Sequence, residues 1–241
     1  MARDKTVKSR SARKRLSLEQ LHKPERVLAL SDGVVAVAIT VLVLPLADIE
    51  LPQQVIDSGT VASYIWNTYS QLMISFVITW LVIIAYWFDH YKLFNRLNYV
   101  DNFTIRVNML WLFAIVVLPF PTNLLGQSDA GPSGEIVCLY LLVLFITNLA
   151  MFLMEYHIEK YPELRDPERA WYTNSWVFGL AAAIYILILA CLAPFLGGGT
   201  LWGLFGLFFL GSIARLGNLG SKAEAPDPKL EAEAKEADNT D

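Results

Sequence analysis

The sequence predicts an all-α membrane protein with six transmembrane helices and both termini on the cytoplasmic side. Three observations carry this. The 241 residues are 55% hydrophobic and only 17% charged, too apolar for an ordinary soluble domain. Six apolar stretches reach or approach the roughly 20 residues that a helix needs to cross a bilayer. All 19 Lys and Arg residues lie in the N-terminal segment, in two alternate connections, or from Arg215 onward. An even number of spans therefore obeys the cytoplasmic preference of cationic side chains without exception, and five or seven would break it.

Residues 1–24 form a basic cytoplasmic segment. They resemble a secretory signal superficially, but the apolar run that follows is longer than the usual signal core and lacks a small-residue cleavage site, so it is expected to be retained. The six spans are expected at 25–46, 68–89, 106–125, 135–156, 173–195 and 199–216, together one transmembrane domain over 25–216. The more polar stretch from Val61 to Gln71 should begin the second helix outside the membrane, and Pro119 and Pro121 should kink or end the third. Lys92, Arg96 and Arg106 mark the second connection and Lys160, Arg165 and Arg169 the fourth. The glycines at 197–199 read as a tight turn before the last helix. Residues 217–241, rich in Ala, Glu, Lys and Pro and poor in aromatics, are expected to be a disordered acidic tail. Cys138 and Cys191 both sit in apolar segments, which suggests neither a disulfide framework nor a metal site.

The first span, RVLALSDGVVAVAITVLVLPL, carries Ser31-Asp32-Gly33 in its first half. A carboxylate there costs a few kcal/mol unless protein or water surrounds it. At about 100° per residue, Leu30, Gly33, Val41 and Leu44 fall within about 40° of Val37, and Thr40 within about 60°. Asp32 lies about 140° away on the same scale. One face of the helix is thus a stripe of small and medium apolar residues, while Asp32 points into its own subunit. On pattern alone such a stripe is more often lipid-facing or packed than pore-lining. Trp87 and His90 near the end of the second span and Asn108 near the start of the third lie at the depth of Ser31 and Asp32, and the five residues are expected to form a buried hydrogen-bond network, with His90 and Asn108 as the partners of Asp32. The alternative leaves His90 and Asn108 facing lipid headgroups. Arg26 projects onto the stripe at its cytoplasmic mouth, either as a plain topology anchor or as a cation held off by an acidic neighbour or by the start of the helix.

At these residues the sequence resembles the transmembrane protein 175 family, endolysosomal potassium channels and their prokaryotic relatives. The matching pattern is Arg26, Leu30-Ser31-Asp32-Gly33, then VVAVAIT and VLVLPL, with Leu30 replacing the family's phenylalanine. YWFDH at 86–90, Phe94, Asn108 and LPFPTNLL at 118–125 extend it, so that residues 24–125 match well and the remainder mainly in the number and length of its helices. The resemblance implies a homotetramer with the first helix of each subunit around a central pore, and potassium-preferring conduction without a TVGYG loop. Carried over by position, the hydrophobic constriction falls at Val37, Val41 and Leu44 and the pore-facing threonine at Thr40. Val37, where relatives often carry Ile or Leu, implies a slightly wider neck.

The function expected on this basis is passive potassium transport through a prokaryotic cell membrane, with the polar network holding the first helix at the right rotation. One rival is a proton-coupled transporter or proton conductor using Asp32 and His90. Another is a non-conducting membrane scaffold acting through the charged tails. No Ser-His-acid set, metal-ligand cluster or phosphate-binding glycine loop is present, so an enzyme is not expected, nor any cofactor besides the permeant potassium ion. The expected partners are the lipid bilayer and further copies of the chain. The basic N-terminus has neither the aromatic interleaving nor the fold that nucleic-acid binding would need.

Overall fold

The computed structural model describes residues 21–127, 131–169, 175–204 and 206. Within them the chain is helical: α1 (Pro24–Val41), α2 (Leu44–Ala47), α3 (Gln53–Asp57), α4 (Val61–Phe94), α5 (Asn102–Val117), α6 (Pro119–Gly126), α7 (Gly134–Lys160) and α8 (Ser175–Leu196), with 3-10 turns at Pro162–Leu164 and Gly197–Leu204. Five stretches among the described residues are long and apolar enough to cross a membrane, the third of them combining α5 and α6. Residues 1–20 of the basic segment, most of the expected sixth span and the acidic tail lie outside the described residues.

Local features modify several of the expected spans. The first span runs from Pro24 to Ala47, close to the expected 25–46, but the helix within it is interrupted after Val41. Pro45 has no N–H to donate to the Val41 carbonyl four residues back, so Leu44 rides on the separate one-turn α2. α4 begins at Val61, as expected for a second helix that starts outside the membrane ahead of its span at 68–89; its 34 residues extend about 51 Å at 1.5 Å per residue, well beyond the hydrocarbon thickness. Pro119 and Pro121 divide the third span without ending it, because Leu118 remains α-helical in φ and ψ. The expected sixth helix begins instead as a 3-10 stretch at 197–204, entered through Gly197 at a φ of +63°.

The interior is formed mainly where α7 packs against α8 and α5 and where α4 packs against α6, with Trp111, Ile115, Leu118, Tyr140, Leu141, Leu144, Met154, Ile158 and Ile186 fully buried. Gly126 permits the close approach of α6 to α4; a Cβ there would lie 2.7 Å from the Leu72 Cα. In this apolar body the hydroxyls of Thr79 and Thr122 meet at 2.9 Å, with the Tyr140 hydroxyl 3.3 Å from Thr79. α1 is an edge helix that packs on α4 and α5.

Backbone hydrogen bonds tie together the end of the bundle where α1 begins. His22 and Val100 exchange two of 2.8 Å, the amides of Asn98 and Tyr99 donate to the Leu164 carbonyl, and that of Asp166 donates to Arg96. Arg165 caps α7 by donating to the carbonyls of Ile158 and Glu159, which the helix leaves free. Asp101 caps α5: its Oδ1 accepts from the Thr104 amide at 3.0 Å and hydroxyl at 2.6 Å, while Oδ2 lies 2.9 Å from Nε2 of His157 on α7. Burial pushes the Asp101 carboxyl up, but the hydrogen bonds from His157 and Thr104 outweigh it and hold the group well below the usual carboxylate range.

A depressed folded-state pKa means that the stability contributed by Asp101 is complete above its unfolded value of about 4 and is lost as the pH falls toward the folded value. Asp101→Ala should lower the thermal midpoint of the purified protein in detergent, with loss of the cap alone costing about 1–2 kcal/mol. Asp101→Asn, which keeps a capping oxygen, should cost less, and the wild-type advantage over it should narrow progressively below about pH 4 in the same melting assay.

Candidate functional site

The polarity of α1 divides along its axis. Ser31, Val35 and Ala38 are buried, with Val35 and Ala38 at 3% exposure, whereas Val37 is 61% and Leu44 54% exposed. Arg26, Leu30, Gly33, Thr40 and Val41 are exposed with them. The stripe that the angular spacing isolates is thus the exposed side of α1, away from the helices that α1 packs on.

The buried side is fixed by polar contacts in two branches. Ser31, facing the interior, donates from Oγ to the Val27 carbonyl at 2.9 Å and accepts from Nδ2 of Asn108 at 3.0 Å. Asn108 Oδ1 in turn lies 2.7 Å from Nε2 of His90. Because the Asn108 amide nitrogen is committed to Ser31, its oxygen needs a donor, which assigns a proton to His90 Nε2. One residue further round α1, the partly buried Asp32 accepts from the indole Nε1 of Trp87 at 2.7 Å. The expectation that His90 and Asn108 are the partners of Asp32 is therefore corrected. They bond Ser31, which the helix turns straight into the α4–α5 interface, while its neighbour is rotated by about 100° toward Trp87.

The alternative that leaves His90 and Asn108 facing headgroups does not hold, since both are fully buried. α4 continues for a turn past His90, and α5 starts two turns before Asn108. The imidazole is stacked between Phe94 and Trp111, with ring centroids at 4.3 Å and 4.2 Å. Phe94 lies four residues after His90 and Trp111 three after Asn108, so each ring shares a helix face with the polar group it covers. That spacing was present in the sequence as a signal for Trp111, which sequence reasoning did not single out; the Asp101-x-x-Thr104 cap was another such signal.

On the exposed side, Thr40 Oγ1 donates to the Val37 carbonyl at 2.7 Å. Its single proton is spent on the helix, so only lone pairs are left to face outward, the arrangement that suits a cation rather than an anion. Arg26, near the start of α1, is exposed on the same stripe with no hydrogen bond or ion pair among the described residues. Asp89 is exposed and paired with Lys92 at 2.9 Å, away from Asp32. Among the described residues no group of three or more His, Cys, Asp or Glu side chains is placed to hold a metal ion.

Since Asn108 is the middle member of the chain from His90 to Ser31, Asn108→Leu should destabilise the protein by about 1–3 kcal/mol by leaving buried donors and acceptors unpaired. His90→Phe should cost a similar amount. The double variant should be less damaged than the two losses added together, by about 1 kcal/mol in a thermal-melt double-mutant cycle.

The family match falls on these same helices. A family model described as endosomal/lysosomal potassium channel TMEM175 matches residues 26–119. A potassium channel of Streptomyces collinus is 30% identical over 151 residues, covering 61% of this chain and 70% of that one. The endosomal/lysosomal proton channel TMEM175 of Rattus norvegicus is 23% identical over 151 residues, 62% of this chain but only 29% of that longer protein. The crystal structure of a lysosomal potassium-selective channel TMEM175 homolog from Chamaesiphon minutus superposes with a TM-score of 0.54 at 23% identity, covering 78% of this chain and 97% of that one. The exposed stripe and the paired polar branches of α1 thus lie in an integral membrane protein that belongs to the TMEM175 family.

Proposed function

We propose that this chain forms a potassium-preferring cation channel in a prokaryotic cell membrane, as a homotetramer of six-helix subunits with both termini cytoplasmic. The observation that carries the proposal is the division of α1: one side pinned into the subunit by Ser31 and Asp32, the other an exposed stripe of Val37, Thr40, Val41 and Leu44. Four such stripes facing a common axis enclose an apolar neck at Val37, Val41 and Leu44 that gates by dewetting or by small helix rotations. Rings of Thr40 hydroxyls, with their protons turned back to the Val37 carbonyls, offer oxygen lone pairs in partial exchange for the hydration shell of the ion. Potassium is cargo in this reading, and no resident cofactor or catalytic group enters it.

Conduction of protons through Asp32 and His90 is less well supported. The carboxylate is held by a Trp87 N–H and the imidazole by an Asn108 carbonyl, so the two do not form a relay. The family relationship and the names of the bacterial relatives favour potassium.

In liposomes, reversal potentials in mixed potassium and sodium should show Thr40→Val losing several-fold of the potassium preference, as expected for removal of the only hydroxyl ring on the stripe. Val41→Ala should raise the unitary conductance by widening the neck. Unchanged selectivity and conductance in both variants would overturn the pore assignment. Asp32→Ala should reduce tetramer assembly or alter gating; a normal tetramer with altered ion preference alone would place Asp32 in the permeation path instead.

A further inference from the structure

The last turns of α7 and the first turn of α8 form a feature for which the channel has no use. α1 packs on α4 and α5, whereas this feature belongs to the other pair of helices. Phe152 and Tyr156, one turn apart on α7, meet Trp176 of α8 in an aromatic trio. Tyr156 and Trp176 stand edge to face with ring centroids at 5.4 Å, and Phe152 lies 6.0 Å from the first and 6.1 Å from the second. One turn deeper the two helices are in direct contact: a Cβ on Gly179 would lie 3.4 Å from a Glu155 carboxylate oxygen and 3.5 Å from the Phe152 Cβ. Above this contact lies an open surface groove of about 240 Å³ lined by Tyr156, Glu159 and Lys160 of α7 and Trp176 of α8.

The position sets the class of ligand. The groove lies at the end of two membrane-spanning helices, on the side where Arg165 and the other cationic connections gather, which is the depth of the phospholipid headgroups. Aromatic faces attract ammonium groups, and Tyr156 and Trp176 both border the opening. The exposed Lys160 ammonium, 5.9 Å above the Tyr161 ring, supplies a counter-charge for phosphate. Glu159 carries the opposite charge on the same rim, so the lining as a whole does not select an anion. A headgroup with a phosphate and an ammonium a few bonds apart matches both halves.

We propose that this groove is a binding site for a zwitterionic phospholipid, with the phosphate at Lys160, the ammonium against Tyr156 and Trp176, and the acyl chains descending past Phe152. The site is independent of the conduction reading and rests only on the membrane location of the chain.

The test uses the full-length protein reconstituted in nanodiscs of equal parts phosphatidylethanolamine, phosphatidylcholine and phosphatidylglycerol, with retained lipids identified by native mass spectrometry. The wild type should retain the two zwitterionic lipids in preference to phosphatidylglycerol. Trp176→Leu should lower that retention about threefold to fivefold, the scale of one cation–π contact, and Trp176→Phe should keep most of it. Lys160→Gln, at an exposed position with little bearing on folding, should lower retention without moving the thermal midpoint. Equal retention of all three lipids, a preference for phosphatidylglycerol, no retained lipid, or wild-type retention in Lys160→Gln would each overturn the proposal.

Discussion

Hydrocarbon offers no hydrogen bonds, so a polar side chain on a spanning helix must find its partner inside the protein or lose several kcal/mol. In this chain that constraint fixes the rotation of α1. As an edge helix with apolar residues all round, α1 has little in its hydrophobicity to tell the interior from lipid. Ser31 and Asp32 remove the degeneracy, because only one rotation brings Ser31 to Asn108 and Asp32 to Trp87 together. A turn of α1 by one residue, about 100°, breaks both contacts and strands the carboxylate away from its donor.

The partners are themselves held. His90 cannot swing away from Asn108 because Phe94 and Trp111 lie on its two faces, and the turn of α4 beyond it closes the end of the pocket. Below this level backbone hydrogen bonds join the side-chain ones: the His22–Val100 exchange anchors the chain two residues before α1, and the bonds from Asn98 and Tyr99 to Leu164 carry the same layer across to the turn that follows α7. The base of α1 is therefore fixed in height by backbone bonds and in rotation by side chains, while the end beyond Val41 has no comparable tie among the described residues.

Much of this was legible in the sequence because a membrane simplifies the alphabet. A lone Ser-Asp in an apolar run, with a Trp, a His and an Asn at matching depth in the next two spans, leaves few ways to satisfy the polar atoms. The angular spacing alone separated Val37, Thr40, Val41 and Leu44 from Asp32. What the spacing did not carry was which donor meets which acceptor. Ser31 and Asp32 differ by one step in chain and by a quarter of a turn or more in direction, and the choice depends on how α4 and α5 lean against α1, a matter of packing rather than pattern. The Thr79, Thr122 and Tyr140 cluster was invisible for the same reason, since each residue is unremarked in its own helix and gains meaning only when three helices converge. The extent of the first span was legible, since it runs through Ala47, but the interruption inside it was not, because hydropathy continues past the point where Pro45 breaks the hydrogen-bond ladder.

That early end bears on how the proposed neck moves. Val37, Thr40 and Val41 belong to one rigid helix whose base is pinned, and they must shift together when it rotates. Leu44 lies beyond the break, on a one-turn helix whose amides bond locally, Leu46 and Ala47 to Val43 and Asp48 to Leu44. It is carried by the connection to α3 rather than by the polar branches that hold Ser31 and Asp32. A stripe that looks continuous in sequence is in mechanical terms two parts. In the proposed tetramer a rotation of α1 would move Val37, Thr40 and Val41 as one body, while Leu44, joined to it across the break by the Val43 amide on the Thr40 carbonyl, need not turn through the same angle.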